Sequence, residues 1–290
     1  MPELPEVETV RRSLEPRLYD GSVEAVQTSA LALRQRALSA GDLQPLVGAR
    51  FVVARRHGKY LLLDASSGHT LLVHLGMTGQ LLLSPRDEAL RPHTHVRLSL
   101  SSGLELRYVD ARRFGSVRVY PTSSVADTDE LRALGPDPIA GAFPVADFVR
   151  SLRRTRRDLK SALLDQTLVA GLGNIYVSEA LFEARLSPRR KAYRVRTEEA
   201  AALHAAVVSV LARGVANRGT TFSDYVDSNG ERGSNQHTLL VYGRDGEPCR
   251  VCATPIVRIV QGQRSTFLCS CCQAPRPARK RPEAGVRSGK

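Results

Sequence analysis

Hydrophobic residues at the start of the chain recur with the period of a helix. They stand three or four residues apart, at Leu4, Val7, Val10, Leu14 and Leu18. Such spacing puts all of them on one face of an α-helix, where they can pack against a core. Prolines are tolerated in a first helical turn, so Pro2 and Pro5 do not contradict this helix. The pattern predicts an amphipathic helix over residues 4–18.

Short apolar runs follow, and turn sequences separate them. The runs lie at 51–55, 60–63, 70–75 and 81–83. Apolar and polar residues alternate at 96–100 and at 104–108, as they do in a strand with one buried face. Glycine-containing turn sequences lie at 57–59, 66–68 and 101–103. This half of the chain is therefore predicted to be a mainly antiparallel sandwich or barrel with one helix at its start.

The second half of the chain returns to a helical period and ends in a cysteine-bearing module. Residues 135–144 hold three prolines and two glycines, which is typical of a linker. Helical periodicity follows at 159–164, 175–186 and 198–213. The predicted organisation is a first domain at 1–134, a linker at 135–146, a helical domain at 147–242, a small module at 243–273 and a disordered basic tail at 274–290.

The charge of the chain points to a polyanionic partner. Forty-two lysines and arginines against 29 aspartates and glutamates give a formal net charge of +13. Cations placed at phosphates release condensed counterions, so nucleic acid is the favoured partner. A ribosomal or membrane-surface partner is the alternative. No uninterrupted apolar run reaches about 18 residues, and the glutamate-rich start does not resemble a signal peptide, so we expect a cytoplasmic protein without a membrane partner.

All five cysteines lie in one short segment near the end of the sequence. Stabilising disulfides would not be concentrated in this way, whereas metal ligands would. Cys249 and Cys252, then Cys269 and Cys272, form two pairs with two residues inside each pair. Four thiolates at this spacing predict one structural zinc ion. Disulfides or free thiols are the alternative, and Cys271 leaves a second choice of ligand open.

A glycine-rich turn joins two of the predicted helices. Residues 171–174 read Gly-Leu-Gly-Asn, and the second helix begins at or just after Asn174. Backbone N–H groups exposed at the start of a helix bind phosphate. A turn of this composition is also a common device for packing two helices closely, so both interpretations stay open.

The N-terminus offers a nucleophile. Met1 precedes a small residue and is expected to be removed, which leaves Pro2 with a secondary amine. An α-amino group has a pKa of about 8 and keeps a neutral fraction at pH 7, whereas a lysine is almost wholly protonated. A neutral amine can attack a sugar C1′ and form an iminium, and Glu3 is placed to move protons. The alternative is that Pro2 only begins the helix.

Seven motifs along the chain carry a family resemblance. They are MPELPEVETV, HGKYLLL, VHLGMTG, DARRFG, GLGNIYVSEALF, VYGRDGEPC and a four-cysteine finger that ends in CCQ. In this order, from Pro2 to Gln273, they resemble the bacterial formamidopyrimidine-DNA glycosylase family. The resemblance implies an α+β protein with an N-terminal antiparallel β-sandwich, a helix–two-turn–helix domain and a zinc-finger hairpin. It also implies a monomer that binds damaged double-stranded DNA between its two halves.

The resemblance implies roles for individual residues. Pro2 is the expected Schiff-base nucleophile, Glu3 the expected proton donor to the deoxyribose ring oxygen, and Lys59 the expected contact to a phosphate beside the lesion. Further DNA contacts are expected at His74, Met77, Arg112, Phe114, Lys160, Asn174 and Arg264. The pocket for the extruded base is expected to include Glu6, Thr220, Thr221 and Tyr225. The alternative for Met77 and Phe114 is that both are ordinary residues of the hydrophobic core.

Three positions depart from the family pattern. The finger ends in Cys-Ser-Cys-Cys without the usual proline, and Thr94 stands where an aspartate is common. The segment 220–239 carries Ser234 and Asn235 where an aromatic residue is common. In relatives this segment closes over the extruded base, so the last departure bears on lesion specificity and leaves the nucleophile untouched.

The predicted function is that of a bifunctional DNA glycosylase and AP lyase of base excision repair. It is expected to remove 8-oxoguanine and formamidopyrimidines through a Schiff base on Pro2, followed by β,δ-elimination. One alternative is an endonuclease VIII-like glycosylase that acts on oxidised pyrimidines. Another is a zinc-finger protein that binds nucleic acid without catalysis.

Overall fold

Two antiparallel sheets and a long helix, α1 (Leu4–Leu18), make up the first half of the chain. The computed structural model describes residues 2–29, 31–34 and 37–274. The first sheet has the spatial order β1 (Val23–Thr28), β6 (Thr94–Leu100), β7 (Leu104–Val109) and β5 (Gln80–Pro85). The second has the order β2 (Phe51–His57), β3 (Tyr60–Ala65), β4 (His69–His74) and β8 (Ser116–Pro121). Met1 and the predicted tail, apart from Ala274, lie outside the described residues.

The two sheets and α1 share one hydrophobic core. The buried face of α1 supplies Val10 and Leu14, and the sheets supply Leu63, Leu98 and Tyr108 among others. Alternate residues of β6 point into this core while those between them stay partly exposed, as the alternation predicted. Two separate sheets packed over a shared core form a sandwich, so the sandwich prediction is confirmed over the barrel.

The second half of the described chain is helical. Its helices are α3 (Val145–Arg154), α4 (Leu159–Leu163), α5 (Asn174–Glu183) and α6 (Thr197–Ala216), while the short α2 (Ala40–Leu43) belongs to the first half. These helices surround a second core, into which α1 inserts Leu4. The predicted helical periods therefore correspond to real helices, with ends that differ by three residues at most.

Helix α6 is the one described helix with the length and composition of a membrane span. Its buried residues Leu203, Val207, Val210 and Leu211 belong to the core of the helical domain. The helix packs against α1, α3 and α5. Its apolar character is thus that of a helix at the centre of a folded domain, where one face is covered by neighbours.

The cysteine-bearing module is built on a β-hairpin. Strands β9 (Ile256–Gln261) and β10 (Arg264–Cys269) pair antiparallel and form the hairpin that the family resemblance implied. A small apolar cluster attaches the module to the helical domain, with Phe182 and Val241 on one side and Phe267 on the other. So small a module cannot bury a core of its own, and it therefore depends on this attachment and on its metal.

A buried ion-pair network holds the predicted linker against the sandwich. The Arg56 guanidinium binds Asp137 with two hydrogen bonds, and its Nε lies 3.1 Å from a carboxylate oxygen of Glu8 in α1. Asp137 also accepts hydrogen bonds from the backbone N–H groups of Gly58, at 2.8 Å, and of Ile139, at 3.1 Å. Burial raises the pKa of Glu8, but hydrogen bonds from arginines outweigh it and lower the pKa to about 2. The linker is therefore pinned where the two halves meet.

Asp137→Ala should lower the free energy of unfolding by about 3–5 kcal/mol, because it leaves the buried charge of Arg56 without its main partner. Asp129→Ala is the matched control, since Asp129 and Arg132 form an exposed ion pair. The control should cost less than about 1 kcal/mol. Chemical denaturation at pH 7 measures both variants. Equal, small effects would contradict the pinned linker.

Candidate active site and metal centre

The first turn of α1 is buried against the start of α5. The side chain of Glu3 is only 2% exposed, and its carboxylate accepts hydrogen bonds from the backbone N–H groups of Ile175, at 2.9 Å, and Tyr176, at 3.3 Å. A Cβ atom at Gly173 would lie 2.3 Å from the Glu3 Cδ, so only glycine permits this approach. The backbone N–H groups that were predicted to bind a phosphate therefore donate to the carboxylate of Glu3 instead.

Pro2, Glu3 and Lys59 come together in this buried region. Pro2 is buried next to Glu3, and Lys59 lies in the turn between β2 and β3. Burial raises the pKa of Glu3, and the positive charge of Lys59 partly opposes this. Burial lowers the pKa of Lys59, and Glu3 opposes that shift in turn. Gly58 lets this turn approach the chain before α5, because a Cβ there would meet Gly171 N at 3.2 Å. The arrangement thus brings an acidic and a basic side chain together in the buried region that holds Pro2.

Glu6 lies at the centre of a second buried polar group. One of its carboxylate oxygens accepts hydrogen bonds from the Tyr176 hydroxyl and from the backbone N–H of Thr220, both at 2.7 Å. The hydroxyl of Tyr225 donates to the Glu6 carbonyl oxygen, and that of Thr221 donates to the Tyr225 carbonyl oxygen. Burial, helped by the nearby Glu3, raises the pKa of Glu6 to about 7. The four residues expected around the extruded base therefore do lie together.

Asn235 belongs to the same group, although sequence reasoning did not select it as a site residue. It is 2% exposed, and its amide donates to the Thr220 hydroxyl at 2.9 Å and to the Tyr176 hydroxyl at 3.4 Å. Its amide oxygen accepts hydrogen bonds from Asn217 and Thr238. The only sequence feature that could have indicated a role for Asn235 was that it stands where an aromatic residue is common in the family. The structure shows that the polar replacement is satisfied by its neighbours.

The expected phosphate contacts meet where α5 faces the hairpin. The Asn174 amide donates to the Ser265 carbonyl oxygen at 2.9 Å, and the Lys160 ammonium donates to the same oxygen at 2.8 Å. Burial and the charge of Arg264 lower the pKa of Lys160 to about 8. Lys160 is nearly inaccessible to solvent, and its ammonium binds β10, the strand that begins with Arg264. Its direct contact with DNA stays a prediction.

Tyr242 is a second residue that sequence reasoning missed, although the motif VYGRDGEPC contains it. Its hydroxyl lies beside Asn174, and its ring packs against Phe267 at a centroid distance of 4.9 Å. The buried carboxylate of Glu179 accepts hydrogen bonds from the backbone N–H groups of residues 240–242, at 2.8–2.9 Å. Helix α5 thereby fixes the segment that carries Tyr242.

Met77, Arg112 and Phe114 lie on adjoining turns at the edge of the sandwich. His74 in β4 pairs with Ser116 in β8, so the turns beyond this pair lie side by side. Met77 is 40% exposed and Phe114 48% exposed, which excludes a core role for both. The Arg112 guanidinium carbon lies 4.5 Å from the centre of the Phe114 ring. The three side chains form an exposed projection with apolar and cationic parts.

His74 differs in character from this projection. Its ring is mostly buried, and Nδ1 accepts a hydrogen bond from the backbone N–H of Gly76 at 3.1 Å. Burial, together with the charges of Arg34 and Lys59, lowers the pKa of His74 to about 3. The ring is therefore neutral at physiological pH. An Nε2–H donor on such a ring suits a hydrogen bond to a phosphate oxygen.

The four cysteines of the two predicted pairs converge. Their sulfur atoms all lie within 4.8 Å of one another, with separations of 3.9 Å between Cys249 and Cys272 and 3.4 Å between Cys252 and Cys269. A zinc ion with Zn–S bonds of about 2.3 Å requires sulfur separations of about 3.8 Å in a tetrahedron, so the cluster fits one structural zinc ion. Cys271 is exposed and does not belong to the cluster.

Cys272→Ser should lose the bound zinc and loosen the hairpin that presents Arg264, because three thiolates close the tetrahedron poorly. Cys271→Ser is the matched control in the neighbouring position and should keep one zinc ion per chain. Metal analysis of the purified variants decides between them. Loss of zinc in Cys271→Ser with retention in Cys272→Ser would show that the ligand set is wrong.

Three family models match the chain. Residues 1–117 match the formamidopyrimidine-DNA glycosylase N-terminal domain, and residues 134–226 match the formamidopyrimidine-DNA glycosylase H2TH domain. Residues 246–275 match a zinc finger found in FPG and IleRS. The matches follow the order of the sandwich, the helices and the hairpin.

Similar proteins agree with these models over nearly the whole chain. The formamidopyrimidine-DNA glycosylase of Desulforamulus reducens is 45% identical over 94% of this chain and 99% of its own. The solved structure of MutM (Fpg) from Thermus thermophilus has a TM-score of 0.84 at 40% identity and covers 95% of this chain and 100% of its own. Lactococcus lactis Fpg, solved in complex with DNA that contains an abasic site, has a TM-score of 0.87 at 32% identity and covers 94% and 100%. The chain therefore belongs to the formamidopyrimidine-DNA glycosylase family of DNA repair enzymes.

Proposed function

We propose that this chain is a bifunctional DNA glycosylase and AP lyase that excises 8-oxoguanine and formamidopyrimidines from damaged double-stranded DNA. One observation carries the proposal: Glu3, which follows Pro2 in the chain, is buried close to Lys59, at a helix start whose backbone N–H groups donate to its carboxylate. Burial of an acid and a base costs stability and is typical of catalytic sites. Among the relatives, Lactococcus lactis Fpg has been solved with DNA that contains an abasic site and, as a mutant, with DNA that contains Fapy-dG.

The glycosylase step uses Pro2 after removal of Met1. Glu3 gives a proton to the ring oxygen as the C1′–O bond opens, and the prolyl nitrogen forms a bond to C1′ of the damaged nucleotide. The nitrogen then loses its own proton, and its lone pair expels the base, which leaves with the electron pair of the bond to C1′ and takes up that proton. The nitrogen is left as an iminium with C1′. Burial raises the pKa of Glu3, which is the direction that suits a proton donor in this step.

The lyase steps follow from the iminium. It makes a C2′ hydrogen acidic, and loss of this proton expels the 3′ phosphate. A second elimination expels the 5′ phosphate, which completes β,δ-elimination. Lys59, Asn174 and Arg264 are suited to hold these phosphates, because cationic and amide donors stabilise the charge on the leaving groups. We take the chain to act as a monomer on DNA in the bacterial cytoplasm.

The exposed projection of Met77, Arg112 and Phe114 supports base extrusion. Removing a base from the stack leaves an apolar gap, and side chains inserted there offset the lost stacking. The orphaned cytosine presents its O2 and N3 acceptors to the gap, and the guanidinium of Arg112 offers matching donors. Adenine presents a donor at N6 instead. This chemistry predicts the best excision opposite cytosine.

Recognition of the lesion rests on the group around Glu6. 8-Oxoguanine carries an oxygen on C8 and a hydrogen on N7 that guanine lacks, and this hydrogen needs an acceptor such as a carbonyl or hydroxyl of residues 220–225. One such hydrogen bond supports about 1–3 kcal/mol of discrimination. Easier extrusion of damaged pairs supplies the rest. Asn235 favours a second candidate, an endonuclease VIII-like preference for oxidised pyrimidines, because it gives the base pocket a polar residue where relatives often have an aromatic one.

Borohydride should trap the mature chain covalently on DNA with an abasic site, because the iminium on Pro2 can be reduced. Glu3→Gln should slow base excision by at least about a hundredfold, since it removes the proton donor, while some cleavage of preformed abasic sites survives. Glu15→Gln, a partly exposed glutamate on the same helix, is the control and should keep full activity. The proposal fails if a chain that retains Met1, and so has no free prolyl amine, still traps normally.

Single-turnover excision should be fastest on 8-oxoguanine opposite cytosine, slower on the same lesion opposite adenine, and slowest on an oxidised pyrimidine. Arg112→Leu should bring the cytosine-to-adenine rate ratio close to one, because it removes the donors that distinguish the two partners. Arg113→Leu changes the neighbouring exposed arginine and should keep the ratio. A clear preference for the pyrimidine would instead place the chain with the endonuclease VIII-like enzymes.

A further inference from the structure

Exposed cations are concentrated on one surface of the helical domain. Eight of them, here named the basic ridge, are Arg153, Arg154, Arg156, Arg157, Arg189, Lys191, Arg194 and Arg196. Four of them lie at the end of α3 and in the segment between α3 and α4, and the other four lie in the segment between α5 and α6. The reaction proposed above uses none of these side chains.

The two parts of the basic ridge form one continuous surface. The backbone N–H of Leu159 donates to the Arg190 carbonyl oxygen at 2.8 Å, and that of Ala192 donates to the Arg157 carbonyl oxygen at 3.0 Å. These bonds join the two segments side by side, in an antiparallel bridge. The spacing of the cations is therefore fixed by the fold and does not depend on flexible loops.

The basic ridge is poorly neutralised within the chain. Arg157 pairs with Asp165, and Arg196 pairs with Glu199. Within the ranges that the structure describes, Arg154, Arg156, Arg189, Lys191 and Arg194 form no ion pair with a carboxylate. Cations at the end of α3 gain from the helix dipole, but this explains only the first two residues of the ridge. Like charges held close together repel, so their concentration favours an external polyanion.

The basic ridge continues into the expected phosphate site. A cavity of about 460 Å³ is lined by Arg157 from the ridge, by Lys160, and by Gln261, Gly262 and Arg264 from the hairpin. The Gln261 amide donates to the Asp158 carboxylate and, at 3.1 Å, to the Pro188 carbonyl oxygen, which lie between the two parts of the ridge. A cationic path thus leads from Arg264 across the cavity to the ridge.

We propose that the basic ridge binds the sugar-phosphate backbone of duplex DNA beyond the lesion, on one side of it only. The position of the lesion in this inference rests on the proposed function. Regularly spaced phosphates match a row of guanidinium groups, which bind phosphate oxygens through paired donors. An acidic protein partner would also need apolar anchors, and along the ridge Tyr193 is the large exposed one, stacked under Arg194.

Contacts of this kind have a defined consequence for the enzyme. Phosphate contacts orient a protein on DNA but carry no sequence information. The ridge therefore adds affinity that depends on salt and on the length of DNA on one side, and it keeps the enzyme on undamaged DNA during the search for lesions.

The experiment compares two duplexes of equal length that carry a stable abasic-site analogue near one end. In one duplex the longer arm lies on the 5′ side of the analogue, and in the other on the 3′ side. The test variant combines Arg154→Gln, Arg156→Gln and Lys191→Gln. It should bind one of the two duplexes about tenfold more weakly. In a plot of the logarithm of the binding constant against the logarithm of the salt concentration, the slope should become shallower by about 0.9 for each lost phosphate contact. Binding to the other duplex should not change.

The control variant combines Arg50→Gln, Arg86→Gln and Arg132→Gln, three exposed cations outside the helical domain. It should bind both duplexes as the unchanged chain does, and thermal unfolding should show that both variants fold. An equal change in affinity for both duplexes, relative to the unchanged chain, would overturn the proposal, and no change for either duplex would assign the ridge to another polyanion. The experiment measures binding and requires no excision. It would therefore still test the basic ridge if the proposed excision chemistry proved wrong.

Discussion

The Glu3 carboxylate bound at the start of α5 is the contact on which the active site depends. The acid is the residue immediately before α1, a helix that packs with the sandwich, while its N–H partners at Ile175 and Tyr176 belong to the helical domain. A buried carboxylate without donors carries a large desolvation cost, so the two halves are stable together only when these groups face each other. Gly173 permits the approach because it has no side chain.

Helix α5 transmits this arrangement to the rest of the site. Its first residue, Asn174, bonds to the finger beside Arg264, and Glu179 farther along binds the backbone of residues 240–242. The zinc cluster completes the support, because it closes a module too small to fold by its own core. One short helix therefore sets the positions of the acid, the phosphate contacts and the finger.

The pocket around Glu6 is joined to the same centre through hydrogen bonds. The Glu6 carboxylate accepts hydrogen bonds from the backbone N–H groups of Glu3 and Thr220. The hydroxyl of Thr220 in turn accepts a hydrogen bond from the side-chain amide of Asn235. Buried polar groups of this kind hold one geometry when all of them are satisfied. A residue that departs from the common family pattern thereby becomes part of the structure that supports the pocket.

The sequence by itself determined those features that depend on local order. The period of three to four residues predicted α1, alternation predicted β6 and β7, and paired cysteine spacing predicted zinc, because each reflects geometry within a few neighbouring residues. The motifs also named Glu3, Lys59 and Arg264 as candidates. Short strands such as β1 and β8 carried no comparable period and were not singled out. Only the tertiary structure decided that the Glu3 carboxylate binds the helix start that was expected to bind a phosphate. It also decided that the Asn235 side chain donates a hydrogen bond to Thr220. Hydrogen-bond partners so far apart in the chain are chosen by packing and burial, which no local pattern records.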